Sequence, residues 1–317
     1  MVMSSAFVLA LICAGLMGYA IQSGATCMVY AVSEMVEKRR FTRLVAMLEA
    51  GLWVACMMAV ASGLNLAPDQ PAPYPPSWST VLGGILLGLG AYLNGACVFG
   101  SVARFGSGEL GFALTPIGYL LGIRIFDSLW GREPSVAEGP GSALALPGIL
   151  ALGFAAYAAF RSIRTIYWTV WRSRSDQSPH LWQPHEATLV IGVTFAIMLL
   201  TVGRWTYPEL LADLSRGKMG ETASRLLLFA ALLFGARWGG LRHGRRAWQA
   251  PDGARVRACL AGGAMMGAGG ALIPGGNDGL VLVGLRFLMP YALLALGTMV
   301  ATVGLAIGAQ RLRAPSA

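Results

Sequence analysis

Residues 80–104 read TVLGGILLGLGAYLNGACVFGSVAR, with no charged side chain before Arg104. A helix crosses the hydrocarbon core of a bilayer with roughly 20 mostly apolar residues, so this stretch reads as a spanning helix. Its glycines at 83, 84, 88 and 90 suit close helix packing, because small residues let backbones approach in lipid. Asn94-Gly95-Ala96-Cys97 then interrupts the run at membrane depth. Backbone that leaves a helix there must be buried in protein or line a cavity, since lipid offers it no hydrogen bonds. The stretch is therefore a broken helix whose break carries polar atoms.

The rest of the chain repeats the theme. Of 317 residues 56% are hydrophobic and 12% charged, where a soluble domain carries about 25% charged residues. Apolar stretches fall at residues 6–36, 44–64, 80–104, 110–130, 144–160, 187–202, 222–234, 259–288 and 291–309. The expected fold is all-α and integral to the membrane, with about nine transmembrane helices, some of them broken into half-helices. One transport domain fills residues 1–317. Lys38, Arg39, Arg40 and Arg43, the arginines at 161–174 and 237–257, and Arg311 and Arg313 all fall on one face. Basic residues mark the cytoplasmic side, which puts the N-terminus outside and the C-terminus in the cytoplasm. The opposite face takes the proline-rich loop at 68–76, the loop at 131–141 and the mixed segment at 204–221.

Four crossings precede residues 144–160 and four follow, so the two halves, at about 6–130 and 187–309, run in opposite directions around a central span. The glycine ladder from Gly83-Gly84 to Asn94-Gly95-Ala96-Cys97 also resembles that from Gly262-Gly263 to Pro274-Gly275-Gly276-Asn277, with a one-residue insertion. Cys97 and Asn277 then correspond. Inverted repeats of this kind are a transporter signature.

Several function classes drop out. The formal charge of +9 is spread over short clusters between spans, so it reflects topology and not a nucleic-acid surface. No P-loop is present for ATP hydrolysis, and no residue pattern asks for a cofactor. Cys13, Cys27, Cys56, Cys97 and Cys259 are widely spaced and odd in number, which suggests neither a disulfide framework nor a CxxC site. His180 and His185 beside Glu186 have no metal-ligand spacing, and Arg124 with Asp127, three residues apart on one helix, reads as an ion pair.

Three breaks concentrate the polar groups at membrane depth. They are Ser23-Gly24-Ala25-Thr26-Cys27, Asn94-Gly95-Ala96-Cys97 and Ile273-Pro274-Gly275-Gly276-Asn277-Asp278. A short helix starting after such a break turns its N–H groups inward and attracts anions. Cys27, Cys97 and Asn277 each open the next helical stretch. Neutral thiols donate weak S–H hydrogen bonds and an amide donates stronger N–H bonds, so these three positions are the expected substrate path. Gly24, Thr26, Asn94, Gly95, Gly275, Gly276 and Asp278 frame it. Asp278 suits a helix cap, with proton coupling or gating as the alternative. Cys13, Cys56 and Cys259 read as packing residues.

The run Gly18-Tyr19-Ala20-Ile21-Gln22-Ser23-Gly24-Ala25-Thr26-Cys27, then Lys38-Arg39-Arg40-Phe41, then Asn94-Gly95-Ala96-Cys97 and Pro274-Gly275-Gly276-Asn277, resembles the YeeE/YedE sulfur-transport family. The resemblance implies an inverted-repeat bundle of nine spanning helices with half-helices. It also implies thiosulfate uptake across a bacterial inner membrane, with no cofactor and no catalytic residues. In that family three pore cysteines pass thiosulfate along by transient S–H hydrogen bonds. Two of them map to Cys27 and Cys97 and the third to Asn277, a departure that leaves another sulfur or selenium species open. Some members work beside a separate sulfur-carrier or sulfurtransferase protein. A membrane thiol-redox enzyme using Cys27 and Cys97, and a scaffold anchoring a partner through its basic loops, are the competing classes.

Overall fold

A computed structural model describes residues 4–66, 74–131, 182–218, 220, 222–273, 276–285 and 289–313, together with 153, 156, 157, 160, 161, 164 and 167. The described residues form helices throughout, with one isolated bridge between Glu109 and Gln249. In chain order these are α1 (Ser5–Ser23), α2 (Met28–Lys38), α3 (Thr42–Gly63), α4 (Trp78–Asn94), α5 (Val98–Gly106), a 3-10 turn (Leu110–Ala113) and α6 (Leu114–Trp130). They continue with α7 (Pro184–Thr201), α8 (Tyr207–Ser215), α9 (Thr222–Arg242), α10 (Gly253–Leu272), the single turn α11 (Gly276–Gly279), a π-helical turn (Leu280–Gly284) and α12 (Pro290–Arg313).

Among the described residues seven helical stretches are long and apolar enough to cross a membrane, with α1–α2 and α4–α5 each counted once. The pair Gly253–Leu272 and Gly276–Gly284, bent by 49°, makes an eighth. The chain is thus an all-helical, multi-pass membrane protein. The span expected at 144–160 falls largely outside the described residues.

Helix starts follow local chemistry. The Ser4 hydroxyl accepts from the Phe7 N–H ahead of α1, and Asp252 Oδ1 accepts from the Arg255 N–H at 2.7 Å ahead of α10. Pro184 enters α7 at its first position, behind a Gln183–Glu186 capping box, where a missing N–H costs nothing. Helix contacts are made backbone to backbone. A Cβ on Gly18 would lie 1.9 Å from the Leu232 carbonyl oxygen, and one on Gly122 would lie 1.9 Å from that of Ala264. α1 packs against α7 and α9, α10 against α4 and α6, and α12 against α4, and α5 after the second break packs against α1 and α9.

Candidate functional site

Each break passes through one residue in the left-handed region: Ala25 at φ 47°, Gly95 at 77° and Gly276 at 55°. The conformation is open to Gly95 and Gly276 without penalty, whereas Ala25 bears the crowding of its Cβ. Ala25 and Gly95 follow the ends of α1 and α4 and let the chain restart a few residues on, whereas Gly276 itself opens α11. Cys27 and Cys97 then occupy the N-cap positions of α2 and α5 in extended conformation.

Two of the breaks are joined through their cysteines. The Met28 N–H donates to Cys97 Sγ at 3.2 Å, and the Cys97 N–H donates to Cys27 Sγ at 3.5 Å. Each sulfur therefore caps the start of the other's half-helix. Free N–H groups at a helix start need such partners, and in lipid no water supplies them. Cys97 is fully buried and Cys27 half-buried. Cys27 lies over Gly100, where a Cβ would come within 2.4 Å of its sulfur, so a glycine one turn into α5 makes room for the second thiol.

The surroundings of these breaks differ in how fully they are hydrogen-bonded. Around the Cys97 break, Asn94 Nδ2 donates to the Ala96 carbonyl at 2.7 Å and to Ser101 Oγ at 2.9 Å. Thr115 Oγ1 donates to Asn94 Oδ1 at 3.0 Å and Ser101 Oγ donates to the Cys97 carbonyl at 3.1 Å. Arg255 adds a bond from Nη1 to the Asn94 carbonyl at 3.2 Å. Asn94 is thus a brace for the break, with its polar atoms engaged. Around the Cys27 break Arg43 plays the part of Arg255, donating from Nη1 to the carbonyls of Gly24 at 3.3 Å and Ala25 at 3.4 Å. There, however, Gln22 Oε1, Ser23 Oγ and Thr26 Oγ1 are buried with no hydrogen-bond partner among the described residues.

Asn277 and Asp278 are also buried, at 0% and 2% exposure. Among the described residues Asn277 Nδ2 and Oδ1 and Asp278 Oδ1 have no partner in hydrogen-bond geometry. A buried polar group without a partner costs about 1–3 kcal/mol, so such groups gathered at two breaks mark a place where a ligand's atoms would relieve a standing cost.

A fourth break is present that the sequence pattern does not announce. Between α7 and α8 the chain turns through Gly203, at φ 78°, and Thr206 caps α8 by accepting from the Glu209 N–H at 3.4 Å. Arg204, Glu209 and Asp213 make this segment read as part of a polar loop. The structure instead buries Tyr207, Pro208, Leu210 and Leu211, and Arg204 is paired with Glu209 at 3.1 Å. The Tyr207 hydroxyl donates to the Val98 carbonyl at 2.8 Å, one residue beyond Cys97. Phe99, Trp205 and Asp278 line one small cavity, so the second, third and fourth breaks meet there.

Of the other expected site residues, Gly24 is held by packing, since a Cβ there would sit 2.2 Å from that of Ala187. A Cβ on Gly276 would come within 2.8 Å of the Tyr119 hydroxyl, and Gly275 lies outside the described residues. Cys13, Cys56 and Cys259 are buried. The ion pair expected between Arg124 and Asp127 is not formed. Asp127 binds Arg216 from the end of α8 at 2.9 Å, and Arg124 donates to the Ser215 carbonyl at 2.8 Å. A neighbouring helix end offers both groups a closer partner than their own helix does. His185 rests on Glu49 at 2.7 Å beside Arg161, and His180 lies outside the described residues.

The burial pattern leads to a labelling order. With N-ethylmaleimide on the detergent-solubilised protein, peptide mass spectrometry is expected to find Cys27 modified first, with Cys13, Cys56, Cys97 and Cys259 following only on unfolding. Equal labelling of Cys27 and Cys97 in the folded protein would contradict the arrangement described.

A family described as "Sulphur transport" matches residues 23–307, from the last residue of α1 into α12. No curated protein matches the chain.

Proposed function

The chain belongs to the sulphur transport family, and from that premise we propose that it is a permease for thiosulfate or a related small sulfur-containing anion, passed along Cys27, Cys97 and Asn277. The observation that carries this reading is the joining of two helix breaks through their thiols, beside side chains left without partners. Oxyanion oxygens only accept hydrogen bonds, and Ser23, Thr26 and Asn277 supply buried donors. The thiols add S–H donors and a polarisable surface for the sulfur end.

A single transport domain built as an inverted repeat accounts for the helix order. Four helices start about 179 residues after a counterpart: Ser5 and Pro184, Met28 and Tyr207, Thr42 and Thr222, Val98 and Gly276. The packing is paired in the same way. Gly83 faces Gly269 while Gly90 faces Gly262, the self-complementary contact expected across a two-fold axis. α1 on α9 is matched by α3 on α7, and α2 on α12 by α6 on α8. Nine crossings, counting one over 144–160, would let the halves run in opposite directions. The basic clusters support an inner-membrane protein with its N-terminus outside and C-terminus in the cytoplasm, and a separate sulfur-carrier protein would receive the substrate there.

The test is uptake of radiolabelled thiosulfate into proteoliposomes, with sulfate and selenium analogues as competitors. Wild type is expected to take up thiosulfate, and Asn277→Cys, which restores a third thiol, to keep or raise the rate. A correctly inserted wild type with no uptake would discard thiosulfate. The contact between the thiols also suits a redox pair. That reading requires a Cys27–Cys97 disulfide that forms and reopens during turnover, which thiol trapping would detect.

A further inference from the structure

A groove of about 920 Å3 runs along the seam between α1 and α9. Gly15, Ala231 and Gly235 line it where the two backbones meet, Ile12 and Leu16 stand on one side, and Phe234 and Trp238 on the other. All four of these wall side chains are exposed, so in a bilayer the groove opens on lipid.

Along its α9 wall the groove passes from hydrocarbon to charge. Phe234, Trp238 and Arg242 are spaced four residues apart and share one helix face. The Phe234 and Trp238 rings lie 6.2 Å apart, and the Arg242 guanidinium carbon lies 6.0 Å from the Trp238 ring centre. Trp182, in edge contact with Tyr19 at 5.3 Å, lines the same groove. Tryptophan and tyrosine favour the headgroup level of a membrane. From Ala231 to Arg242 the helix rises about 16 Å at roughly 1.5 Å per residue, close to the half-thickness of the hydrocarbon core, about 15 Å. The groove thus has the length of one leaflet, with a cation where the headgroup would lie.

Nothing in the two helices answers that cation. Neither α1 nor α9 carries an acidic residue, and among the described residues Arg242 makes no ion pair beyond its contact with the Trp238 ring. His243 beside it is held to the Gly239 carbonyl at 2.7 Å, and Arg245 and Arg246 follow in sequence. A phosphate oxygen pair fits the fork of a guanidinium. A zwitterionic headgroup would bring its own ammonium to this basic cluster, whereas an anionic one would not, and each basic residue near the surface favours anionic lipid.

We propose that this groove binds one anionic phospholipid, with an acyl chain laid along Ile12, Leu16 and Phe234 and the phosphate on Arg242. The site lies apart from the cysteine breaks and does not depend on which anion the permease carries. Its effect is on the α1–α9 seam: a ligand that binds only the folded form stabilises it.

The experiment is native mass spectrometry and thermal melting of the protein purified in a neutral detergent, with phosphatidylglycerol or phosphatidylcholine of the same acyl chains added back. Wild type is expected to retain one phosphatidylglycerol per monomer at concentrations about tenfold below those that phosphatidylcholine requires, and to melt higher in its presence. Arg242→Gln is expected to lose that preference, whereas Arg313→Gln, at the end of α12 and not on the groove, keeps it. Glycerol phosphate, which offers the charge without a chain, is expected to leave melting unchanged. Equal retention of the two lipids, no retained lipid, a preference kept in Arg242→Gln, melting raised as much by glycerol phosphate as by lipid, or a lipid-free protein dimer would overturn the proposal. Should Arg242→Gln fail to fold, the comparison of the two lipids and of glycerol phosphate on wild type still decides.

Discussion

Replacing Cys97 with alanine is expected to reduce thiosulfate uptake by about a hundredfold, the equivalent of losing two hydrogen bonds to a buried anion path. The alanine removes an S–H donor from the path. It also removes the acceptor of the Met28 N–H, which Cys97 Sγ holds at 3.2 Å. The second loss frees the start of α2 to shift, and Cys27 is the N-cap of α2, so one substitution disturbs both thiols. Cys97→Ser separates the two roles. A serine hydroxyl accepts from a backbone N–H at least as well as a thiol does, so it restores the cap and not the sulfur surface. If Cys97 served only as a cap, serine would return full uptake. On the sulfur-path reading serine recovers protein yield and thermal stability to near wild type while uptake stays at least about tenfold down. Size-exclusion profiles and uptake rates, measured on the same preparations, distinguish the outcomes.

The two cysteine breaks are legible in the sequence because a break in an apolar run announces itself: at Ser23-Gly24-Ala25-Thr26-Cys27 and Asn94-Gly95-Ala96-Cys97 backbone that leaves a helix at membrane depth must be buried in protein or line a cavity. Their pairing is not legible. Nothing in the spacing of Cys27 and Cys97 says that each sulfur caps the other's half-helix, because the bond depends on how α1–α2 and α4–α5 cross. Gly100 gives no signal for the same reason. Only in three dimensions is the space above it filled by Cys27 Sγ. Asn94 is expected on the path from its position in a break, and the structure makes it the centre of a brace that reaches Ser101 and Thr115.

The fourth break shows how charge misleads in a membrane sequence. Arg204, Glu209 and Asp213 within ten residues mark a mixed connecting segment, and the structure folds part of it into α8 because these charges answer partners. Arg204 pairs with Glu209, and Asp213 with Arg225 from α9. Pairing lowers the cost of holding such groups near the bilayer, which leaves Tyr207, Pro208, Leu210 and Leu211 free to turn inward. Tyr207 then fixes α8 to the residue after Cys97. A tyrosine in a supposed loop, 109 positions from its partner, carries no local signal of that role. The helical class, by contrast, follows from hydropathy alone, and seven or eight of the expected crossings are found among the described residues.

The glycines divide into two groups that look alike in sequence, and the division predicts opposite stability effects. Gly235 on α9 would place a Cβ 1.8 Å from the Gly15 carbonyl oxygen and 2.6 Å from its carbon, and Gly18 would place one 1.9 Å from the Leu232 carbonyl oxygen. Those atoms are helix backbone, so the clash is relieved only by moving α1 away from α9. Overpacking of a core side chain costs about 1–3 kcal/mol, and here a whole helix must shift. α9 also meets the end of α5, where a Cβ on Gly240 would lie 2.0 Å from the Gly106 carbonyl oxygen. A displaced α9 therefore moves the supports of both cysteine breaks together. Gly235→Val is expected to give no monodisperse protein in size exclusion, and Gly235→Ala a clear fall in melting temperature with loss of uptake. On α12, by contrast, a Cβ added at Gly297 or Gly308 would meet no atom of the described residues within 4 Å, and alanine is favoured over glycine in a helix by about 1 kcal/mol. Gly297→Ala and Gly308→Ala are expected to hold or raise the melting temperature and leave uptake intact. A Gly235→Val as stable as wild type would show that the α1–α9 contact does not hold the site together, and a destabilised Gly297→Ala would show that the open space beside α12 is filled.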